Sequence, residues 1–143
     1  IGTGEAIFAL MALGAEGVQM GTRFALTDES SASDIFKEYC LRLNEGDTKL
    51  LLKKLAPTRL VTNSFRDRVE AAEGRGASAE ELRELLGRGR AKKGIFEGDL
   101  EEGELEIGQV AALFRRRQSV DEVMKELLEG YRRASDKIRS AGL

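Results

Sequence analysis

Gly21-Thr22, closing the stretch Gly14-Ala15-Glu16-Gly17-Val18-Gln19-Met20-Gly21-Thr22-Arg23-Phe24, is the first place where residue types and spacing point to chemistry. Val18 and Met20 lie in a short run bounded by glycines, which reads as a buried strand over 17–24. Gly21 and Thr22 then offer an amide with no Cβ beside it, a second amide and a hydroxyl. Such a bare, donor-rich turn suits a phosphate. By spacing alone the same pattern also describes an ordinary bend. Ahead of it, Ala6, Ile7, Leu10, Met11 and Leu13 recur at helical spacing, and Gly14 stands where a C-terminal cap belongs. Gly2-Thr3-Gly4 opens that helix and would aim its first amides at the same anion.

Other groups are weaker candidates. The chain has no histidine, so the commonest general base and metal ligand is missing. The single cysteine, Cys40, lies beside Tyr39 in an apolar helical pattern and reads as a packed thiol. No Cys/Asp/Glu cluster has zinc spacing. The acidic stretch Glu97–Glu106 lacks the spacing of a calcium loop and reads as a solvated structured loop. Arg115-Arg116-Arg117 would suit either a polyanion or the dipole at a helix end. The same two readings apply to Arg88, Arg90, Lys92 and Lys93.

The elements that must position these residues follow in order. Thr3 is placed to cap a helix over 4–13, with Glu5 in its first turn. Ser31 or Ser33 caps a second helix over 34–43, with Ile35, Phe36, Tyr39, Cys40 and Leu43 on one face. Thr48–Leu55 reads as a strand, and Pro57 separates it from an amphipathic helix over 58–73. Ser78 and Ser119 each stand three residues before a glutamate, the spacing of a capping box. The first opens a short helix through Leu86. The second opens the last helix, with Val123, Met124, Leu127, Leu128, Tyr131, Ala134 and Ile138 as its apolar stripe. Between them lie a loop over 94–108 and a short helix over 109–117 with Val110, Leu113 and Phe114 inward.

With 143 residues the chain can bury one ordinary core. A net charge of −2 over 34% charged residues of both signs gives no broad basic surface for nucleic acid. No apolar run approaches the roughly 20 residues that cross a bilayer, and one cysteine fits a reducing compartment, so a cytoplasmic protein is expected.

The wording from Gly14 to Phe24 resembles the last βα unit of the flavin-dependent nitronate monooxygenase family, also known as 2-nitropropane dioxygenases. Flavin-dependent enoyl-acyl-carrier-protein reductases share it. Asp47-Thr48-Lys49-Leu50, the run from Gly94 to Gly103, and Gly108-Gln109-Val110-Ala111 resemble the same family in the same order. The resemblance implies an α/β fold: the C-terminal part of an FMN-binding (β/α)₈ barrel with a mostly helical substrate-side subdomain. A whole barrel needs about 250 residues. Residues 1–27 would be the barrel's last helix-strand unit, 28–107 the lid, and 108–143 the helices returning to the barrel.

The resemblance further implies that Gln19, Met20, Gly21 and Thr22 wrap the FMN phosphate. It implies no catalytic or metal-binding residue within the chain, because the family's catalytic histidine lies upstream. Gln109 is either an ordinary first-turn residue or part of a segment near the flavin. The expected activity of the parent enzyme is oxidation of alkyl nitronates with O₂; NAD(P)H-dependent reduction of an enoyl thioester is the alternative on the same scaffold. The chain alone is expected to be inactive, and an isolated piece could self-associate as a homo-oligomer through its open strand edges. Ser33-Asp34, where the family often has His-Pro, and Gln118, where it often has proline, depart from its pattern.

Overall fold

The computed structural model describes residues 1–142, which divide into two compact units: residues 1–30 with 116–142, and residues 31–115. In the first unit, helix α1 (Gly4–Ala12) packs on the last helix of the chain, α6 (Val120–Ser140). The hydroxyl of Thr3 accepts the Ala6 amide at 3.2 Å and starts α1; Gly14, at φ +99°, ends it while donating to the Met11 carbonyl. The Ser119–Glu122 capping box forms as its spacing predicts.

The α1–α6 contact is made where two glycines meet. A Cβ on Gly4 would lie 2.0 Å from the Leu127 carbonyl oxygen and 2.3 Å from the Tyr131 amide nitrogen. A Cβ on Gly130 would lie 2.7 Å from the Glu5 carboxylate. One turn along, the Phe8 and Tyr131 rings meet edge to face at 5.5 Å. Val123 and Leu127 fill the interior of this seam, whereas Met124, Leu128 and Ile138, expected in the same stripe, face outward. They sit round the edge of a stripe that the glycine crossing makes narrow.

The strand expected over 17–24 is not formed. Residues 15–20 are irregular, and 22–25 make one helical turn, α2 (Thr22–Ala25). A strand exists only against a neighbour, and among the described residues 16–20 donate no backbone hydrogen bond to another backbone group.

The second unit opens with α3 (Asp34–Cys40), capped by the Ser33 hydroxyl at 3.2 Å from the Phe36 amide. Ile35, expected on its inner face, is exposed. A two-stranded antiparallel sheet follows, β1 (Thr48–Leu51) and β2 (Thr58–Val61), in register Thr48↔Val61 through Leu51↔Thr58. β2 replaces the first part of the helix expected over 58–73; that helix, α4 (Ser64–Gly74), starts only after Asn63 caps it. The reason is a second backbone partner. The Val61 amide donates to Leu105 and the Ile107 amide to Arg59, so residues 105–107 flank β2 on its far side.

Leu51, Leu52, Leu60, Phe65 and Val69 form the core of this unit. Helix α5 (Ala79–Leu86) closes over it with its own capping box and buries Leu82 beside Ala72 and Ala77. The acidic stretch is a structured loop, as its composition predicts. A wide turn over Lys92–Phe96 brings Gly94 against Gly103, where a Cβ would lie 2.2 Å from the Gly94 Cα. Asn63 donates from Nδ2 to the carbonyls of Leu100 (3.0 Å) and Gly103 (2.8 Å), and Arg90 lies 4.4 Å over the Phe65 ring. A tight turn over Gln109–Leu113 leaves Leu113 outward, contrary to expectation, and Phe114 inward.

Two outcomes test this architecture. Gly4→Ala places a methyl group against the α6 backbone and is expected to cost about 1–3 kcal/mol of stability, measured by urea denaturation; a cost below about 0.5 kcal/mol would contradict the crossing. Glu104 is buried, and burial first, then the charge of Glu106, push its carboxyl up to about 7 against the pull of Arg90. The folded form holds its proton more tightly than the unfolded one, with its ordinary value of 4.5. Its stabilising contribution is therefore complete below that value and lost as pH rises through 7. Stability should fall over that window, and Glu104→Gln should flatten the fall in denaturation curves collected across it.

Candidate functional site

The first unit holds the residues singled out for phosphate binding. Helix α1 is long enough to carry a terminal dipole, and Thr3, extended at φ −131° and ψ 158°, turns the chain into it. A pocket of about 300 Å³ opens at this end, lined by Gly2, Thr3 and Gly4, by Arg23, and by Glu126 and Arg133 of α6 among others. That volume lies at the small end of ligand sites. The lining is mixed in sign. Glu5 pairs with Arg133 at 3.0 Å, and its carboxyl is held below the usual range, first by its own backbone amide and then by that guanidinium.

The four predicted residues sit just ahead of Arg23. Gln19 and Gly21 are exposed, and Met20 and Thr22 half-buried. Gly21 caps α2, its carbonyl accepting the amides of Phe24 (3.1 Å) and Ala25 (2.9 Å). A Cβ built on Gly21 would meet nothing within 4 Å, so the space before it is open. None of the four lines the pocket; Arg23, the next residue in the chain, does.

Arg23 and its partners were not singled out in the sequence. Its side chain is buried, and its terminal nitrogen donates to Gln118 Oε1 at 3.0 Å and to the Glu126 carboxylate. Gln118 Nε2 donates to the other Glu126 oxygen at 2.6 Å, and Arg116 reaches that oxygen at 3.0 Å. Burial opposes ionisation of Glu126. Hydrogen bonds from Gln118 and Arg23, with the charges of Arg23 and Arg116, outweigh it and hold the carboxyl below its ordinary range. The one sequence signal for this cluster is a charged Arg23 between Thr22 and the apolar Phe24-Ala25-Leu26.

The remaining candidates resolve as structure. Burial pushes the Cys40 thiol up to about 12, which suits a packed residue and not a nucleophile. Asp99 accepts the Glu101 and Glu102 amides and pairs with Lys93. Those bonds, that from Glu102 first, hold its carboxyl at about 2. Among the described residues no group of three or more acidic or cysteine side chains could hold a metal ion. Arg115 donates to the Leu43 carbonyl at 2.7 Å, and Arg117 pairs with Asp28 at 2.9 Å. Lys92 pairs with Glu97. Gln109 opens its tight turn and is exposed. No helix among the described residues is long and apolar enough to cross a membrane.

The family model described as nitronate monooxygenase matches residues 1–130. The chain belongs to the nitronate monooxygenase family. A probable nitronate monooxygenase of Staphylococcus saprophyticus is 51% identical over 65 residues, 43% of this chain and 18% of that protein. The solved structure of FabK from Thermotoga maritima matches 99% of this chain and 45% of its own, with 31% identity and a TM-score of 0.89. A nitroalkane oxidase from Streptomyces ansochromogenes matches at 26% identity and a TM-score of 0.75, over 96% of this chain and 39% of its own. The chain thus spans less than half the length of these relatives.

This chain of the nitronate monooxygenase family, mixed helix and strand, has a pocket where α1 begins. That beginning depends on one cap. Thr3→Ala should cost about 0.5–2 kcal/mol, and Thr3→Ser a few tenths at most, in thermal or urea denaturation. Equal losses from both variants would show that the hydroxyl cap does not hold the pocket's wall.

Proposed function

We propose that this chain supplies the phosphate-binding end of an FMN-dependent (β/α)₈-barrel oxidoreductase that oxidises alkyl nitronates with O₂. The carrying observation is the family match through residue 130, which includes the Gln19-Met20-Gly21-Thr22 turn and the helix opened by Thr3. The residues present fit a phosphate. Gly21 faces open space, and the first turn of α1 lies in the same unit, at a pocket that Arg23 also lines. Under this reading the amides of Gly21 and Thr22 and the Thr22 hydroxyl bind the phosphate, with Gln19 and Met20 adjoining.

FMN, when bound, supplies the redox chemistry of its isoalloxazine ring. The chain's own part is to bind and orient the other end of the cofactor. With no histidine to take up a proton, this chain by itself is not expected to turn substrate over. Under this reading residues 28–107 form the mostly helical substrate-side subdomain, nearly all of it within the compact unit 31–115. The resemblance to FabK favours a second reading, NAD(P)H-dependent reduction of an enoyl thioester on the same scaffold.

Flavin fluorescence titration of the purified chain tests the site. Affinity for FMN should exceed that for riboflavin, which lacks the phosphate, by tenfold or more; equal affinities would overturn the phosphate assignment. In the flavin-loaded full-length protein, an alkyl nitronate should drive oxygen uptake. Flavin bleaching by NADH or NADPH, re-oxidised by an enoyl thioester with no response to nitronate, would replace the first reaction by the second.

A further inference from the structure

We infer that Arg23 is a positioning residue: clamped by Gln118 and Glu126, it fixes the Gly21-Thr22 turn and neutralises Glu126 beside the phosphate site. The inference rests on the assignment of that turn to a phosphate, and it extends the site to residues 95 and 103 positions beyond Arg23, one beside the Ser119 cap and one in α6.

The turn cannot hold itself. Helix α2 spans four residues, and on its N-terminal side residues 16–20 donate no backbone hydrogen bond to another backbone group among the described residues. Its anchorage comes from the C-terminal side. The Thr27 hydroxyl donates to the Phe24 carbonyl at 2.8 Å, and the Asp28 amide donates to the Gln118 carbonyl at 3.0 Å. Arg23 makes the third tie and the one next to Thr22. Its planar guanidinium reaches the Gln118 amide and the Glu126 carboxylate together, and Gln118 closes the triangle by donating to Glu126. Arg23 and Gln118 are both buried, so the bond between them forms where water competes poorly.

Glu126 lines the same pocket as the first turn of α1 and is partly exposed there. A bare carboxylate at that wall would oppose an arriving dianion. Arg23, Gln118 and Arg116 together engage both of its oxygens. Arg23 therefore acts through Glu126 and through the turn, with no contact to the phosphate required.

The experiment compares FMN and riboflavin binding to the 143-residue chain by fluorescence titration, with circular dichroism of each variant as a check on folding. Arg23→Met, which keeps the bulk and removes the fork, should weaken FMN about tenfold and leave riboflavin within twofold. A simple loss of packing would weaken both flavins alike. Adding Glu126→Gln to Arg23→Met should restore at least a third of the lost FMN preference, because the uncompensated charge is gone. An unchanged FMN-to-riboflavin ratio in Arg23→Met, or equal losses for both flavins, would overturn the inference. If Arg23→Met does not fold, Gln118→Leu alone decides, since it loosens Arg23 and leaves Glu126 less compensated: a threefold fall in the ratio supports the clamp and an unchanged ratio overturns it. Should the unmodified chain itself show no preference for FMN, the phosphate assignment fails first, and the inference falls with it.

Discussion

The first unit depends on the crossing of α1 and α6 at Gly4 and Gly130. At Gly4 the two backbones approach until a methyl group has nowhere to go, whereas a Cβ on Gly130 would meet the Glu5 carboxylate. This closeness has two effects. It sets the start of α1 beside Glu126 and Arg133, so a helix dipole and a mixed set of charges share one pocket. It also narrows the apolar seam to Val123, Leu127 and the Phe8–Tyr131 pair, leaving Met124 and Leu128 outside it.

Most charged groups around this architecture are spent on the chain's own backbone and carboxylates. Arg115, Arg117, Lys92 and Lys93 each have an intramolecular partner within their own unit, and the many exposed pairs contribute little to stability. The Arg23–Gln118–Glu126 cluster, with its first two members buried and Glu126 partly exposed, differs. Charge taken out of water is costly unless fully bonded, so such a cluster constrains geometry more than it adds stability. It lies one residue from the turn for which a ligand role is proposed. That coincidence of a rigid polar cluster with a short helical turn is how folds hold exposed amides still.

Legibility in the sequence followed the range of the interaction. Thr3, Ser33, Ser78 and Ser119 were readable as caps because a cap is closed within three residues. β1 was readable from its leucines, but β2 was not: Leu60 and Val61 fit a helical face until residues 105–107 supply a backbone partner. The strand over 17–24 failed for the reverse reason, having the composition of a strand and no neighbour. The four residues Gln19 to Thr22 were found by resemblance of wording. Arg23 escaped notice because its partner Glu126 stands 103 positions away, beyond any periodicity.

The two units are also unequal in how the chain reaches them. Residues 31–115 are contiguous, so every partner in that unit has been synthesised by the time Arg115 leaves the ribosome. The other unit is split, and Glu5 waits 128 positions for Arg133. Helix α1 therefore meets its α6 partner only after the whole of residues 31–115 has been made, while that inserted unit has its internal partners at hand. Closing so long a loop carries a large entropic cost, and that cost grows only slowly with further length. Vectorial synthesis thus imposes an order in which the contact of Gly4 with Gly130 closes only after residues 31–115 have been made.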